Sequence, residues 1–244
     1  MRRVALLPVA LSLVAGVTDV TSWILLGGFF SAHVTGNLVI LAADVVTRTT
    51  PDLAALLAIP VFVITTAGAT VLARRIGAHS PRTATALLGT QATLLIAAGA
   101  LSFTTHASVN PKQGMSVVIG MCAVCAMAAQ NAYLHLVPAR SVSTAVMTGN
   151  LVSATVTATD LIRSRGRDLA AREKWTDNWP LLAGFVVGCL IGAIGATLLN
   201  DQASVIPAVL AVALLVWQLT KGRASPPPAI TASTFHDPTL EELK

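Results

Sequence analysis

Thr35-Gly36-Asn37 and Thr148-Gly149-Asn150 are the same tripeptide, each followed by Leu-Val and each set among apolar side chains. Near them lie the other polar groups with chemistry to offer: Asp19 in the first apolar run, His33 just before Thr35, and Gln130 and Asn131 in the fourth run. An acid in such surroundings exchanges a proton or pairs with a cation, and polar groups there need a reason or a partner. A histidine can relay a proton or help hold an anion. Hydroxyls and amides can bind a polar solute, or simply hold one helix to another. The glycine in each turn lets the backbone break and pass close to a neighbour. A helix starting just after it aims free N–H groups and a positive dipole end forward, with Thr or Asn available to cap it. Two such ends facing one another would suit a small polar or anionic solute. The candidate binding set is therefore Asp19, His33, Thr35, Gly36, Asn37, Gln130, Asn131, Thr148, Gly149 and Asn150, with His33 also a candidate ion-pair mate for Asp19.

The elements that must position these residues follow from composition. Of 244 residues, 54% are apolar and 11% charged, at a mean hydropathy of +0.73. A soluble domain carries roughly a quarter charged residues, so the composition excludes a soluble enzyme, a disordered chain and a disulfide scaffold. An integral membrane protein remains. Crossing a hydrocarbon core of about 30 Å takes about 20 helical residues. Six runs are long enough: roughly 4–26, 53–73, 84–103, 114–137, 180–199 and 203–220. The run 33–46, about 21 Å as a helix, is short for a span, and 141–162 is rich in Ser and Thr. The basic N-terminus resembles a signal peptide, but its apolar run continues to Leu26, which favours a retained first helix.

The two short segments carry the repeated tripeptide at an offset of 113 residues, and Gly68-Ala69-Thr70-Val71-Leu72 is echoed by Gly195-Ala196-Thr197-Leu198-Leu199 at an offset of 127. A loop insertion at Arg163 to Asp177 accounts for the difference, and two echoes in the same order suggest a duplication. Charge then separates two architectures. Eight crossings would leave Arg74, Arg75, Arg82 and Arg140 outside, whereas six crossings with the Thr-Gly-Asn segments dipping in and returning leave only Arg48 and Lys112 there. Six obeys the positive-inside tendency better. Three crossings per half make the halves inverted, as in many secondary transporters. From Leu38 to Thr47 is about 15 Å of helix, half the core, and the same holds from Leu151 to Asp160. Asp19 and Asn131 then become candidate counterparts.

The expectation is an all-α polytopic membrane protein of about six spanning helices plus two shorter Thr-Gly-Asn helices. It has one membrane domain over 1–223, repeats at about 4–104 and 114–220, and a disordered cytoplasmic tail at 224–244. Gly184, Gly188, Gly192 and Gly195 form a small-residue stripe, a packing face within the chain or between protomers of a homo-oligomer. Trp23 and Trp179 are expected at the headgroups, Trp175 in the basic loop, and His135 in solvent near the inner interface. Cys122 and Cys125 have C-x-x-C spacing, but without ligand partners they read as small apolar residues on one helix face. No catalytic or phosphate-binding motif is present, so neither an enzyme nor a cofactor is expected. There is no basic stripe with interleaved aromatics to suggest nucleic acid.

Ala15-Gly16-x-x-Asp19 with Ala32-His33-Val34-Thr35-Gly36-Asn37-Leu38-Val39, and Gln130-Asn131 with Thr144-Ala145-Val146-Met147-Thr148-Gly149-Asn150-Leu151, resemble the YoaK-type family of bacterial inner-membrane proteins. The resemblance runs from about Val4 to Thr220. It implies a polytopic bacterial membrane protein and carries over no activity, cofactor or catalytic residue. The residues themselves favour a small transporter, proton-coupled through Asp19, with a passive channel or a non-transporting scaffold or accessory subunit as the alternatives.

Overall fold

The computed structural model describes residues 6–112, 114–138 and 147–224. The expected tail at 225–244, Arg2, Arg3, Arg140 and the start of the 141–162 run lie outside them. Among the described residues the fold is all-helical: α1 (Leu6–Leu25), α2 (Gly36–Thr47), α3 (Leu53–Ile76), α4 (Pro81–Thr105), α5 (Gly114–Leu136), α6 (Met147–Arg163), α7 (Leu169–Leu199) and α8 (Val205–Ala224), with 3-10 turns at Ala107–Val109 and Asn200–Ser204. Five apolar helical stretches are long enough to cross a membrane, the fifth of which, Leu169–Thr220, takes in α7, the second 3-10 turn and α8. The chain has the build of a multi-pass membrane protein. Its outer helix faces leave Val63, Ile64, Val71, Val186, Leu190 and Val209 exposed, the inverse of what water tolerates and what lipid requires.

Contacts between the helices fix their directions. α1 lies along α7 running the same way: Gly184 meets Val9, Gly188 meets Leu13 and Gly192 meets Val17. α5 runs against α1, since Gln130 near its end bonds the carbonyl of Leu11 near the start of α1. At the other end of the same pair, Phe29 lies on Gly120. α4 and α8 are antiparallel, with Gly99 and Ser102 late in α4 against Ser204 at the head of α8. α3 packs on α5, α2 on α3 and α6 on α7. Leu11, Val14, Val17, Leu87, Leu95 and Met127, from α1, α4 and α5, are fully buried and make the centre of the core.

The bundle has two chemically different ends. At one, here the Asp52 end, Gly27 just past α1 lies beside the Asp52 carboxylate, the Pro111 carbonyl and the stem of Lys112. Gly27 and Gly28 have φ of +100° and +89°, backbone that only glycine adopts at no steric cost. Asp52 itself caps α3 through Ala54 N, 2.8 Å away. Arg48 and Lys112 are the described Lys and Arg residues here. The opposite, Arg74 end carries Arg74 and Arg75 in the last turn of α3, Arg82 at the head of α4, and Arg163, Arg165, Arg167, Arg172 and Lys174. His79 Nδ1, donating to the Val137 carbonyl at 3.2 Å, ties the α3–α4 turn to the end of α5 there.

Two expectations change. The fifth apolar run does not begin at Pro180, and Arg163 to Asp177 is not one loop: α7 starts at Leu169 and passes through Pro180. Asp168 accepts from Ala171 N at 2.9 Å and caps it. Leu, Ala, Arg, Glu and Lys over the next turns are strong helix formers, which carry the helix through polar sequence. The glycine stripe is filled within the chain, with α1 main chain against Gly184, Gly188 and Gly192, and the Ile206 and Ala203 side chains against Gly195.

Candidate solute site at the first hairpin

The chain leaves α1 at Leu25, passes Gly27, and comes back to Asp52 beside Gly27. The intervening residues 28–51 are a hairpin that starts and returns at one end of the bundle. At its inner turn the main chain reaches Asp19, six residues back down α1 and about 9 Å from its end. Asp19 is buried, and its carboxylate holds the turn. Oδ1 accepts from Ser31 N at 2.9 Å, Ala32 N at 2.6 Å and the Ser31 hydroxyl at 3.4 Å. Oδ2 accepts from His33 N at 3.2 Å and lies 2.6 Å from His33 Nδ1. Successive main-chain N–H groups converging on an anion in this way form a nest.

With the carboxylate ionised, Nδ1 carries the ring hydrogen and donates it, which leaves the lone pair on Nε2. His33 Nε2 is buried and has no hydrogen-bond partner among the described residues. The ring itself sits edge-on to Phe185 of α7, with centroids 4.9 Å apart. Phe185 lies level with Gly16 of α1, nine residues or about 14 Å from the end of that helix. The His33 ring thus packs level with the middle of α1, whose 20 residues extend about 30 Å.

The Thr-Gly-Asn residues differ in what they touch. Asn37 gives both ends of its amide to one residue, accepting from Phe30 N at 2.8 Å and donating to the Phe30 carbonyl at 2.8 Å. It fastens the turn. Thr35 precedes α2 without capping it through its side chain and is exposed. Gly36 exists for contact, since a Cβ there would meet the Phe30 ring at 2.9 Å. In the second turn Thr148 and Gly149 are exposed, while Asn150 is buried with its amide 3.9 Å from the Met147 sulfur.

The polar residues of the fourth apolar run bond to helices of the core. Gln130 Nε2 donates to the Leu11 carbonyl at 3.1 Å, and its Oε1 accepts from Gln91 at 2.7 Å, so the pair staples α4, α5 and α1. Asn131 donates back to Met127 of its own helix at 2.9 Å. Composition alone did not single out Phe30, Phe185 or Gln91; an aromatic before a glycine turn and a second glutamine in an apolar run were the only available signals. Among the described residues no group of three His, Cys, Asp or Glu converges to hold a metal.

A second capped turn occupies the Asp52 end. Asp201, between α7 and α8, accepts from Ser108 N at 2.8 Å and the Ser108 hydroxyl at 2.9 Å. His106, largely exposed, lies 3.9 Å from it.

The model of one protein family, described as Protein of unknown function (DUF1275), matches residues 7–217 of this chain. The chain belongs to that family. Within DUF1275 the matched stretch covers α1 almost from its start and ends inside α8, so it contains the first hairpin, the dyad and the Asp201 turn. The DUF1275 description assigns no activity. No curated protein and no solved structure matches the chain.

Proposed function

We propose that this DUF1275 protein is a small-solute transporter of the bacterial plasma membrane, YoaK-like, that moves a polar or anionic solute past the Asp19–His33 dyad with proton coupling. The observation that carries the reading is His33 Nε2. It is a titratable nitrogen held near mid-membrane, buried, and without a partner among the described residues. Asp19 has every lone-pair direction engaged by the turn, so His33 is the member of the dyad that exchanges a proton with the solute path. Neutral, Nε2 accepts from a donor; protonated, it donates to an anion. Ionisable groups at this depth mark proton and ion pathways by default.

The architecture supports the same reading. α3 runs opposite to α1 while α7 runs parallel to it, and α1 and α5, and α4 and α8, are opposed. That pattern fits two inverted halves, α1–α4 and α5–α8, with six crossings and two re-entrant segments that carry α2 and α6. Secondary transporters are commonly built in this way around a midplane site. The arginine-rich end is then cytoplasmic, and both termini lie on that side. Thr35, Thr148 and Gly149, being exposed, remain the turn residues that could face the path; Asn37 and Gln130 act as fasteners.

The test is thermal unfolding of the purified chain with acetate, formate, nitrate or phosphate, across pH, for wild type and His33→Gln. The reading expects one of these anions to stabilise wild type in a saturable, pH-dependent manner. The stabilisation should disappear in H33Q. Equal stabilisation of the two proteins by every anion at every pH would overturn it.

A further inference from the structure

We propose that a row of buried serine hydroxyls, closed by one water molecule, carries protons between the Asp52 end and the Asp19–His33 dyad. The inference rests on the reading of that dyad as the proton-exchanging group, and it names the route by which the proton arrives. The protein holds two short hydroxyl chains. From Asp19 Oδ1 the first runs to the Ser31 hydroxyl at 3.4 Å and on to the Ser22 hydroxyl at 3.2 Å. The second runs from the Ser204 hydroxyl to Ser102 at 3.0 Å, and from Ser102 to the main-chain carbonyl of Asp201 at 3.3 Å. Ser22, Ser31 and Ser102 are all fully or nearly fully buried.

The two chains meet at a cavity of about 20 Å³ whose polar lining is Thr18, Thr21, Ser22 and Ser204. A water needs roughly 10–15 Å³ of such volume and two to four polar partners. The site has room for one and supplies four hydroxyl oxygens. Thr18 and Thr21 give their own hydrogens to the Val14 and Val17 carbonyls. Ser22 and Ser204 each donate away from the cavity, Ser22 to Ser31 and Ser204 to Ser102. Each of the two keeps a lone pair for the cavity, which is what the two hydrogens of a single water require. The Asp201 main-chain carbonyl holds the Ser102 hydroxyl, and the Asp201 carboxylate lies 3.9 Å from His106, whose side chain is 75% exposed.

Inward transfer begins with Ser204, which is only partly buried, turning its hydrogen toward the cavity. A hydronium ion at the Asp52 end gives a proton to Ser204 as Ser204 gives its own to the water, the water to Ser22, Ser22 to Ser31, and Ser31 to Asp19 Oδ1. Every hydroxyl and the water finish with the hydrogens they began with, the hydronium becomes water, and the dyad has gained one proton.

The experiment reads this route without needing the solute. The full chain, labelled with nitrogen-15 in its histidine rings and held in lipid nanodiscs, should show a low-field proton resonance from the His33–Asp19 hydrogen bond, assigned by its loss in H33Q. Its exchange rate with water is then compared across variants. Ser22→Ala and Ser204→Ala are expected to slow the exchange about tenfold or more, and Ser22→Thr, which keeps the hydroxyl, to restore it. A wild-type exchange rate in both alanine variants, with the resonance intact, would overturn the route and leave the dyad standing. Absence of the low-field resonance from wild type would overturn the dyad itself and the route with it.

Discussion

Asp19 Oδ2 and His33 Nδ1 lie 2.6 Å apart across fourteen residues of sequence, and the same carboxylate binds the main chain at all three residues from Ser31 to His33. One acid therefore both folds the hairpin and orients the imidazole. The two duties separate by substitution. Asp19→Asn puts an amide donor where the turn already supplies donors, and should cost about 1–3 kcal/mol of stability. His33→Gln leaves the main-chain bonds in place, so its cost should stay near or below about 1 kcal/mol while the anion response vanishes. Thermal unfolding of the two variants, with and without anion, checks both halves.

The three residues of the first Thr-Gly-Asn turn should respond unequally. Asn37→Ala removes two hydrogen bonds to Phe30, each worth about 0.5–1.5 kcal/mol, and leaves buried main-chain groups unpaired. Thr35→Ala touches nothing and should stay within about 0.5 kcal/mol of wild type. A Thr35→Ala variant as unstable as Asn37→Ala would show that the turn is held in some other way.

Gly188→Ala drives a methyl group into the Leu13 carbonyl of α1. Backbone cannot step aside as a side chain can, so a loss of about 1–3 kcal/mol is expected. Gly89 of α4 meets nothing within 4 Å, and Gly89→Ala should be neutral or gain up to about 1 kcal/mol from helix propensity. Denaturation midpoints of the two variants make the comparison.

A dual topology reporter inserted at Ala78, in the α3–α4 turn beside Arg74, Arg75 and Arg82, should report the cytoplasm. Reporters near Arg48 and near Lys112 should both report the outside. An external Ala78 would contradict the six-crossing arrangement and would move a scaffold role ahead of transport.

The apolar runs, the break between Thr105 and Gly114 and the segregation of arginines were legible because hydropathy and charge respond to the bilayer directly. The Asp19–His33 pairing was legible too, as an acid and a histidine within one hairpin's reach. What Asn37 does was not, because an asparagine that binds a solute and one that clamps Phe30 have the same spelling; only the fold of residues 30–37 decides. The glycine stripe likewise announced a close contact without naming α1 as its partner. The start of α7 was hidden because polar helix outside a membrane carries no hydropathy signal, and only the Asp168 cap marks it.

α7 is 31 residues long and unbroken at Pro180, so it extends about 46 Å, well beyond what a bilayer core requires. Its inner portion is wedded to α1 through glycine, and its outer portion stacks Trp175 on Trp179 and bears Arg172 and Lys174. Mechanically this is a rod with its fulcrum inside the bundle and its long arm in the basic region, where Asn178 donates to Ser153 of α6 at 2.7 Å and α6 moves with it. A tilt of the α1–α7 pair too small to disturb packing around Gly188 is magnified toward Leu169. A spin label on Glu173, which sits far from the dyad, would turn that leverage into a readable distance.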